Sequence, residues 1–261
     1  MKKHILGSLI TTASYQACLS EIISLAEKRQ NGYICVCNVH MLIESFFHKK
    51  FRNILNNATI TLPDGMPVAK GISILHHIRQ ERIAGMDIFP DLLKKCALKN
   101  LSVFFYGNTE TILNKIMTKS AEIYPSLKIA GAVSPPFRAL TASENQHIIN
   151  KINSSKPHLV FVSLGCPKQE IWMAEHQQIE ALMIGVGAAF NVFSGSMNRA
   201  PLFLRNAGLE WLYRLFQEPR RLFCRYLKTN FIFIFLFFIE LLYAILIPKQ
   251  FNKQSQNTNG N

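Results

Sequence analysis

Aspartate is scarce in this chain: of sixteen acidic residues only Asp64, Asp87 and Asp91 are aspartates, and no Asp-x-Asp pair occurs. Enzymes that hold a nucleotide through a divalent cation usually supply closely spaced oxygen ligands. Their absence points to metal-independent chemistry without a cofactor, in which cationic side chains or backbone N–H groups meet any diphosphate charge. The six cysteines form no Cys-x-x-Cys pair and have no histidines at finger spacing, which argues against a zinc site and a disulfide framework and fits a reducing compartment. His40, His76 and His77 show no metal spacing and read as structural or surface residues. Cys35 and Cys37 share one strand face and read as packing residues. The start, "MKKHILGSLITTASYQACLSEII", is broken by Ser, Thr and Gln before it reaches the length of a signal-peptide core, so a mature N-terminus is expected.

Long apolar runs are also rare, with one exception near the C-terminal end. Residues 231–247, "FIFIFLFFIELLYAILI", contain a single charge, Glu240. A bilayer span usually needs about 20 apolar residues, and a charge near the middle costs roughly 2.5–3.5 kcal/mol. Shallow attachment and a full span both stay open. Positive charge, by contrast, is abundant: the formal net charge is +13 and the pI about 9.6. Between residues 199 and 228, Arg199, Arg205, Arg214, Arg220, Arg221, Arg225 and Lys228 face only Glu210 and Glu218. A basic cluster leading directly into an apolar run suits an anionic membrane, at about 1 kcal/mol per Lys or Arg near the surface, rather than nucleic acid.

The rest alternates between short apolar runs and helix-like stretches, as in βαβ units. Buried strands are expected at 33–38, 101–107, 159–165 and 181–187, and helices at about 40–55, 66–80, 87–99, 109–121, 143–153 and 168–178. The fold class is therefore α/β, a Rossmann-like, mostly parallel sheet flanked by helices. Four parts are expected: a core over 1–198, a basic helical appendage over 199–228, an apolar membrane segment over 229–248 and a disordered tail over 249–261.

Ligands of such sheets gather at the C-terminal strand ends. Asn38 ends the first strong strand and suits either sugar orientation or loop anchoring. Asp64, between Pro63 and Gly65, reads either as turn chemistry or as a carboxylate placed to take a proton. Arg82 and Asp87 precede an amphipathic helix, where Asp87 reads equally as a first-turn charge favoured by the helix dipole. In "SLGCPKQEIWMAEH" the first helical turn, with Lys168 and Gln169, suits a phosphate or a sugar hydroxyl. Gly185 and Gly187 begin a GxGxxG whose last position is Phe190, which weakens a dinucleotide reading.

In order and spacing, "TLPDGMPV", "RIAGMDIF", "FFYGN", "SLGCPKQEIWM", "IGVGAAFNVFSGSMNRAP" and "GLEWLYRLFQEPRRLFCRYL" resemble the WecG/TagA/CpsF glycosyltransferase family over about residues 5–228. The resemblance implies an inverting, metal-independent transferase moving an N-acetylmannosamine-type sugar from a UDP donor to polyprenyl-diphosphate-linked N-acetylglucosamine. Such enzymes serve surface polysaccharide or teichoic acid synthesis on the cytoplasmic face of the bacterial inner membrane. It implies Asp64 as general base, with Asn38, Gln169, Gly185, Gly187 and Asn191 by the sugar nucleotide. Arg82, Asp87 and Arg199 join the substrate-binding set, and Arg214, Arg220, Arg221 and Arg225 would close over the diphosphates. Three positions depart from the family pattern: Val36 for a threonine, Asn191 for an aspartate, and Cys224 for an arginine. Glucosyl or mannosaminuronyl transfer, a Rossmann oxidoreductase and a non-catalytic membrane scaffold are the alternatives.

Overall fold

The computed structural model describes residues 1–246, so the tail expected at 249–261 and the end of the apolar run lie outside the described residues. The chain opens with an antiparallel hairpin, β1 (Lys2–Ile5) and β2 (Ser8–Thr11), turned by Leu6 and Gly7 at φ 48° and 76°. Then follow α1 (Tyr15–Glu27), β3 (Gly32–Cys37), α2 (Val39–Phe47), α3 (Lys49–Asn57), β4 (Ile60–Pro63) and α4 (Met66–His76). The second half contains α5 (Gly85–Leu98), β5 (Ser102–Gly107), α6 (Glu110–Ile123), β6 (Lys128–Val133), α7 (Ala142–Ser154), β7 (Leu159–Ser163), α8 (Lys168–Glu175) and β8 (Leu182–Gly185). Four helices close the described chain: α9 (Ala189–Phe193), α10 (Leu202–Asn206), α11 (Glu210–Gln217) and α12 (Pro219–Leu246).

Strands β3 to β8 form one parallel six-stranded sheet in the order β4-β3-β8-β7-β5-β6. Its inner strands carry apolar residues on both faces, as burial on both sides requires. The period of two sorts them cleanly. Tyr33, Cys35, Cys37, Phe104, Tyr106, Val160 and Val162 face one core, under α2, α8 and α12. Ile34, Val36, Val103, Phe105, Leu159 and Phe161 face the other, under α1, α5 and α6. In the second core Phe89 meets Phe105, Phe161 and Phe190 at centroid separations of 4.9–6.2 Å. Each such buried ring contributes roughly 1.5–3 kcal/mol by area.

The expected strands and helices are present, with three differences. The single helix expected at 40–55 is broken at His48, whose φ of −118° and ψ of 95° are extended; its halves bury different sets, Met41 and Leu42 before the break and Phe51 and Leu55 after it. The helix expected at 66–80 stops at His76, because His77 turns left-handed at φ 52°. The hairpin, β4 and β6 have no counterpart in the expected strand set.

Residues 219–246 form one continuous helix, so the basic segment and the apolar run share an element. This helix is long and apolar enough to cross a membrane by length and composition. One stripe of it packs on the core through Phe233, Leu236, Phe237 and Leu241. Glu240 belongs to that stripe: both its oxygens accept from the Leu6 N–H, at 2.9 and 3.1 Å. Gly71 of α4 makes room here, since a side chain at this position would meet Ile5 and Phe237 at 2.7 and 3.1 Å. The opposite stripe, Phe231, Ile234, Phe235, Phe238, Leu242 and Ile245, is exposed.

Candidate active site

The C-terminal ends of β3, β4, β7 and β8 open into one cavity of about 450 Å³, roofed by α11 and the first half of α12. A wide, open hollow along α6, lined by Lys115, Lys119 and Glu122, lies at a distance from these strand ends and gathers none of the expected residues.

Each wall follows from local chain chemistry. At the end of β3, Asn38 caps α2: its Oδ1 accepts from Met41 N–H at 3.1 Å, which leaves its amide nitrogen for the cavity. At the end of β4 the Asp64 N–H donates to Cys37 O at 2.8 Å, and Pro63 O accepts from Ile83 N–H at 2.9 Å. Gly65, at φ 89°, then turns the chain into α4. The backbone of Asp64 is thus fixed on both sides while its carboxylate lines the cavity and makes no hydrogen bond among the described residues. Burial pushes this carboxyl up to about 6; Arg82 and Arg214 pull it down, and Glu210 and Asp87 push it further up.

Beyond β7, Gly165, Cys166 and Gln169 form the next wall, and Gln169 is 4% exposed. The turn after β8 closes it. A side chain at Gly185 would come within 2.9 Å of Gln169 Nε2, and Gly187 sits at φ 50°. Gly185 is needed for this close approach, and Gly187 for the left-handed turn. Lys168 is exposed and lies outside the cavity lining.

The appendage meets the core through an ion-pair latch. Arg82 donates to Glu210 at 2.7 Å and to Asp87 at 3.2 Å. Arg199 donates to Asp87 at 2.6 Å and stands 3.5 Å from Glu210, and Arg205 lies 3.8 Å from Asp87. Three guanidinium groups against two carboxylates leave one positive charge beside the cavity. Arg214, Arg221 and Arg225 line the cavity itself. The Nε groups of Arg214 and Arg225 are buried without a partner among the described residues, whereas Arg221 pairs with Glu218.

The structure therefore brings Asp64, Asn38, Arg82, Gln169, Gly185, Gly187, Arg214, Arg221 and Arg225 to one cavity. Asp87 and Arg199 stand behind it in the latch. Asn191 lies outside the lining, its Oδ1 accepting from Asn108 Nδ2 at 2.7 Å. Arg220 is exposed and also outside the lining. Sequence reasoning missed His40, Trp211 and Tyr226, which line the cavity. His40 stands two residues after the cap Asn38, a spacing that puts it in the first helical turn beside the strand end; burial lowers its pKa and Arg225 lowers it further. Among the described residues, no group of three or more His, Cys, Asp or Glu side chains is placed to hold a metal ion.

The family model of the WecG/TagA/CpsF glycosyl transferases matches residues 3–245. A protein of Bacillus spizizenii (strain W23) named N-acetylglucosaminyldiphosphoundecaprenol N-acetyl-beta-D-mannosaminyltransferase is 32% identical over 197 residues, covering 75% of each chain. Proteins of the same name from Bacillus subtilis (strain 168) and Staphylococcus aureus (strain MW2) are 29% and 27% identical, over 75% of this chain and 75–76% of theirs. With its six-stranded parallel sheet, its basic C-terminal helices and a family match over nearly its whole length, the chain belongs to the WecG/TagA/CpsF glycosyltransferase family.

Proposed function

We propose that this protein transfers an N-acetylmannosamine-type sugar from a UDP donor to N-acetylglucosamine on a polyprenyl diphosphate, with inversion and without a metal ion. The observation that carries this reading is an unbonded, half-buried carboxylate, Asp64, in one cavity with three appendage arginines. Asp64 takes the proton from the acceptor hydroxyl as that oxygen forms its bond to the anomeric carbon. The bond from that carbon to the diphosphate oxygen breaks on the opposite face, and UDP leaves with the electron pair. A carboxyl raised to about 6 is a stronger base than a free aspartate and stays ionised at neutral pH. The free Nε–H donors of Arg214 and Arg225 suit the phosphate oxygens of the donor or the acceptor. The names of the similar proteins support the acceptor and the transferred sugar.

The same reading places the protein on an anionic, cytoplasmic membrane face, with α12 lying along the surface rather than crossing it. A crossing helix would surrender the contacts of Phe233 and Phe237 and expose Glu240 to hydrocarbon without its Leu6 partner. Lying flat, α12 keeps them and offers its Phe-rich stripe to lipid.

The test is a UDP-release assay with lipid-linked N-acetylglucosamine, a panel of UDP-sugars, and a chelator arm. Formation of a lipid-linked disaccharide from UDP-N-acetylmannosamine, unchanged by EDTA and lowered at least about 10²-fold in Asp64→Asn, is the expected result. Preferred use of UDP-glucose or a UDP-mannosaminuronate reassigns the donor. No transfer from any UDP-sugar by a folded protein refutes the enzyme reading and leaves a membrane scaffold.

A further inference from the structure

The cavity holds two ionisable groups with separate charged surroundings, and the transfer reaction uses only one of them. Asp64 answers to Arg82, Arg214, Glu210 and Asp87, whereas His40 answers to Arg225 and Glu44. The His40 side chain is 17% exposed and makes no hydrogen bond among the described residues. Its Nδ1 is buried, and the 3.9 Å that separate it from Glu44 Oε1 are too long for a bond. Glu44 Oε2 lies 3.6 Å from His48 Nε2, so this carboxylate stands between the two rings. Burial and the Arg225 guanidinium hold His40 below the usual histidine range while Glu44 pulls it up, and the ring is neutral at pH 7. The other elements packed on α2 leave that balance alone. Arg221 of α12 pairs with Glu218, burial keeps the Cys37 thiol of β3 protonated, β2 has no titratable side chain, and the cations of α3 lie beyond the break at His48. The Nε of Arg225 is also buried without a partner among the described residues. A guanidinium and an imidazole with unmet hydrogen-bonding capacity in one cavity suit an anion.

We propose that His40 joins Arg225 in holding the diphosphate of the acceptor, and that its imidazole takes a proton from solvent as this anion arrives. This rests on the cavity being the site of sugar transfer. A diphosphate ester sits in both substrates, and the surroundings favour the acceptor's. Asp64 meets the acceptor hydroxyl at one end of the sugar, so the diphosphate at the other end lies away from Asp64 and its arginines. Arg225 is on that side, and its helix runs on into the exposed stripe that begins at Phe231. A phosphate in contact with the ring raises its pKa by about one to three units, which carries it above 7. Both nitrogens of the imidazolium donate: one meets the phosphate, and the buried Nδ1–H meets Glu44 once the gap closes. The wall thus gains a positive charge only when an anion fills it. Because the complex holds a proton that the free protein lacks, acceptor affinity falls as pH rises. Rates measured at saturating acceptor keep the Asp64 limb alone.

The experiment uses the full chain in phosphatidylcholine nanodiscs, carrying Asp64→Asn so that neither turnover nor Asp64 itself moves protons. Calorimetry at pH 7 in two buffers of unlike ionisation heat counts the protons taken up on binding. One arm titrates farnesyl-diphosphate-linked N-acetylglucosamine and the other UDP-N-acetylmannosamine, whose diphosphate esters do not themselves titrate near pH 7. The acceptor arm should take up about half a proton or more, and its Kd should rise about 10-fold from pH 6 to pH 8. Adding His40→Gln should abolish the uptake and flatten the pH dependence of Kd. Glu44→Gln, at a partly exposed position, should lower the uptake by about half, and it keeps the test decisive if His40→Gln does not fold. Uptake that survives His40→Gln, or acceptor binding with no uptake, overturns the proposal. Uptake confined to the UDP-sugar arm overturns the acceptor assignment. Binding of both ligands without His40-dependent uptake sinks this inference alone, whereas binding of neither removes the transfer-site reading along with it.

Discussion

Asp64→Asn should make the protein more stable while it removes turnover. The folded state raises this carboxyl from 3.8 to about 6, chiefly by burial. At about 1.36 kcal/mol per pKa unit, the ionised form opposes folding by at most ~3 kcal/mol. Partial exposure reduces that to about 1–2 kcal/mol, the lowering by Arg82 and Arg214 being already contained in the net rise. The sign follows from linkage: with the folded pKa above the unfolded one, the native state binds more protons between the two values, and stability falls as pH rises from about 4 to about 6. Below that window both states hold the proton and the penalty vanishes. Asparagine removes the charge at nearly constant volume, so the variant gains nothing near pH 4 and the full amount above pH 7. For a domain of this size, 1–2 kcal/mol corresponds to a rise in Tm of roughly 2–8 °C. The assay is thermal unfolding in mild detergent at pH 4 and pH 7.5, paired with initial rates at pH 7.5. A variant that melts at or below the wild-type temperature at pH 7.5, or that gains equally at both pH values, refutes the buried, unpaired carboxylate. Near-normal turnover removes Asp64 from the mechanism.

Other outcomes follow from the same geometry. The wild-type kcat/KM should rise with pH through about 6 as Asp64 ionises; a flat profile from pH 5 to 8 would exclude that group as the base. Arg82→Ala leaves Glu210 and Asp87 short of a partner and should cost about 2 kcal/mol, less than the 3–5 of a fully buried pair. It also withdraws the positive charge that lowers the Asp64 pKa, so the acid limb should move to higher pH, read from the pH–rate profile. Gly185→Ala puts a methyl 2.9 Å from Gln169 Nε2 and should raise the donor KM about 10-fold or more with little change in Tm. Serines at Phe231, Phe235 and Phe238 should weaken sedimentation with anionic vesicles and leave Tm unchanged, whereas Phe233→Ala, on the docked stripe, should cost about 3 kcal/mol. Equal stability losses from both sets would contradict the two-faced helix.

Much of the sheet was readable because its inner strands carry apolar residues on both faces, so 33–38, 101–107, 159–165 and 181–187 stand out as unbroken runs. The other strands lack that signature, β4 being only four residues, "ITLP", with a threonine inside and a proline at its end. In the hairpin Ser8 and Thr11 are buried polar residues, Ser8 exchanging a 2.6 Å hydrogen bond with Ser45, and they look like interruptions. The edge strand β6, "KIAGAV", is only partly buried beyond its first residue, and Ala130, Gly131 and Ala132 interrupt its apolar run. Helical periodicity runs through His48 without marking a break, because the break depends on which neighbours each half meets. At the site, strand ends located Asn38 and Gly185, and the Pro-Asp-Gly turn located Asp64, all from local signals. The pairing of Asp87 with Arg199, 112 residues away, depends on how the appendage folds back and has no local trace. The same fold-back decides that Arg221 and Arg225 face the cavity while Arg220 does not, a choice set by helical phase once α12 is docked.

The continuity of α12 ties the two halves of the proposed reaction together. Arg221 and Arg225 line the cavity, Thr229 and Phe233 continue along the same side, and the exposed Phe-rich stripe begins at Phe231. At about 1.5 Å per residue, Arg225 lies roughly 9 Å along the axis from Phe231. With α12 lying along the surface, that separation runs parallel to the membrane, so Arg225 stays near the level of the interface that Phe231 meets. In the proposed arrangement a diphosphate held at Arg225 would sit near the level of the lipid phosphates, and the polyprenyl chain attached to it would need no extraction from the bilayer to reach Asp64. A helix that crossed the membrane would carry Arg225 along its own axis, away from the docked stripe and from the latch at Glu210. Glu240 opposes that movement, because its two contacts to Leu6 fasten the far end of α12 to the hairpin. The single acidic residue in the apolar run thus joins the packed stripe of Phe233, Leu236, Phe237 and Leu241 in holding α12 on the core, with its cationic end over the cavity.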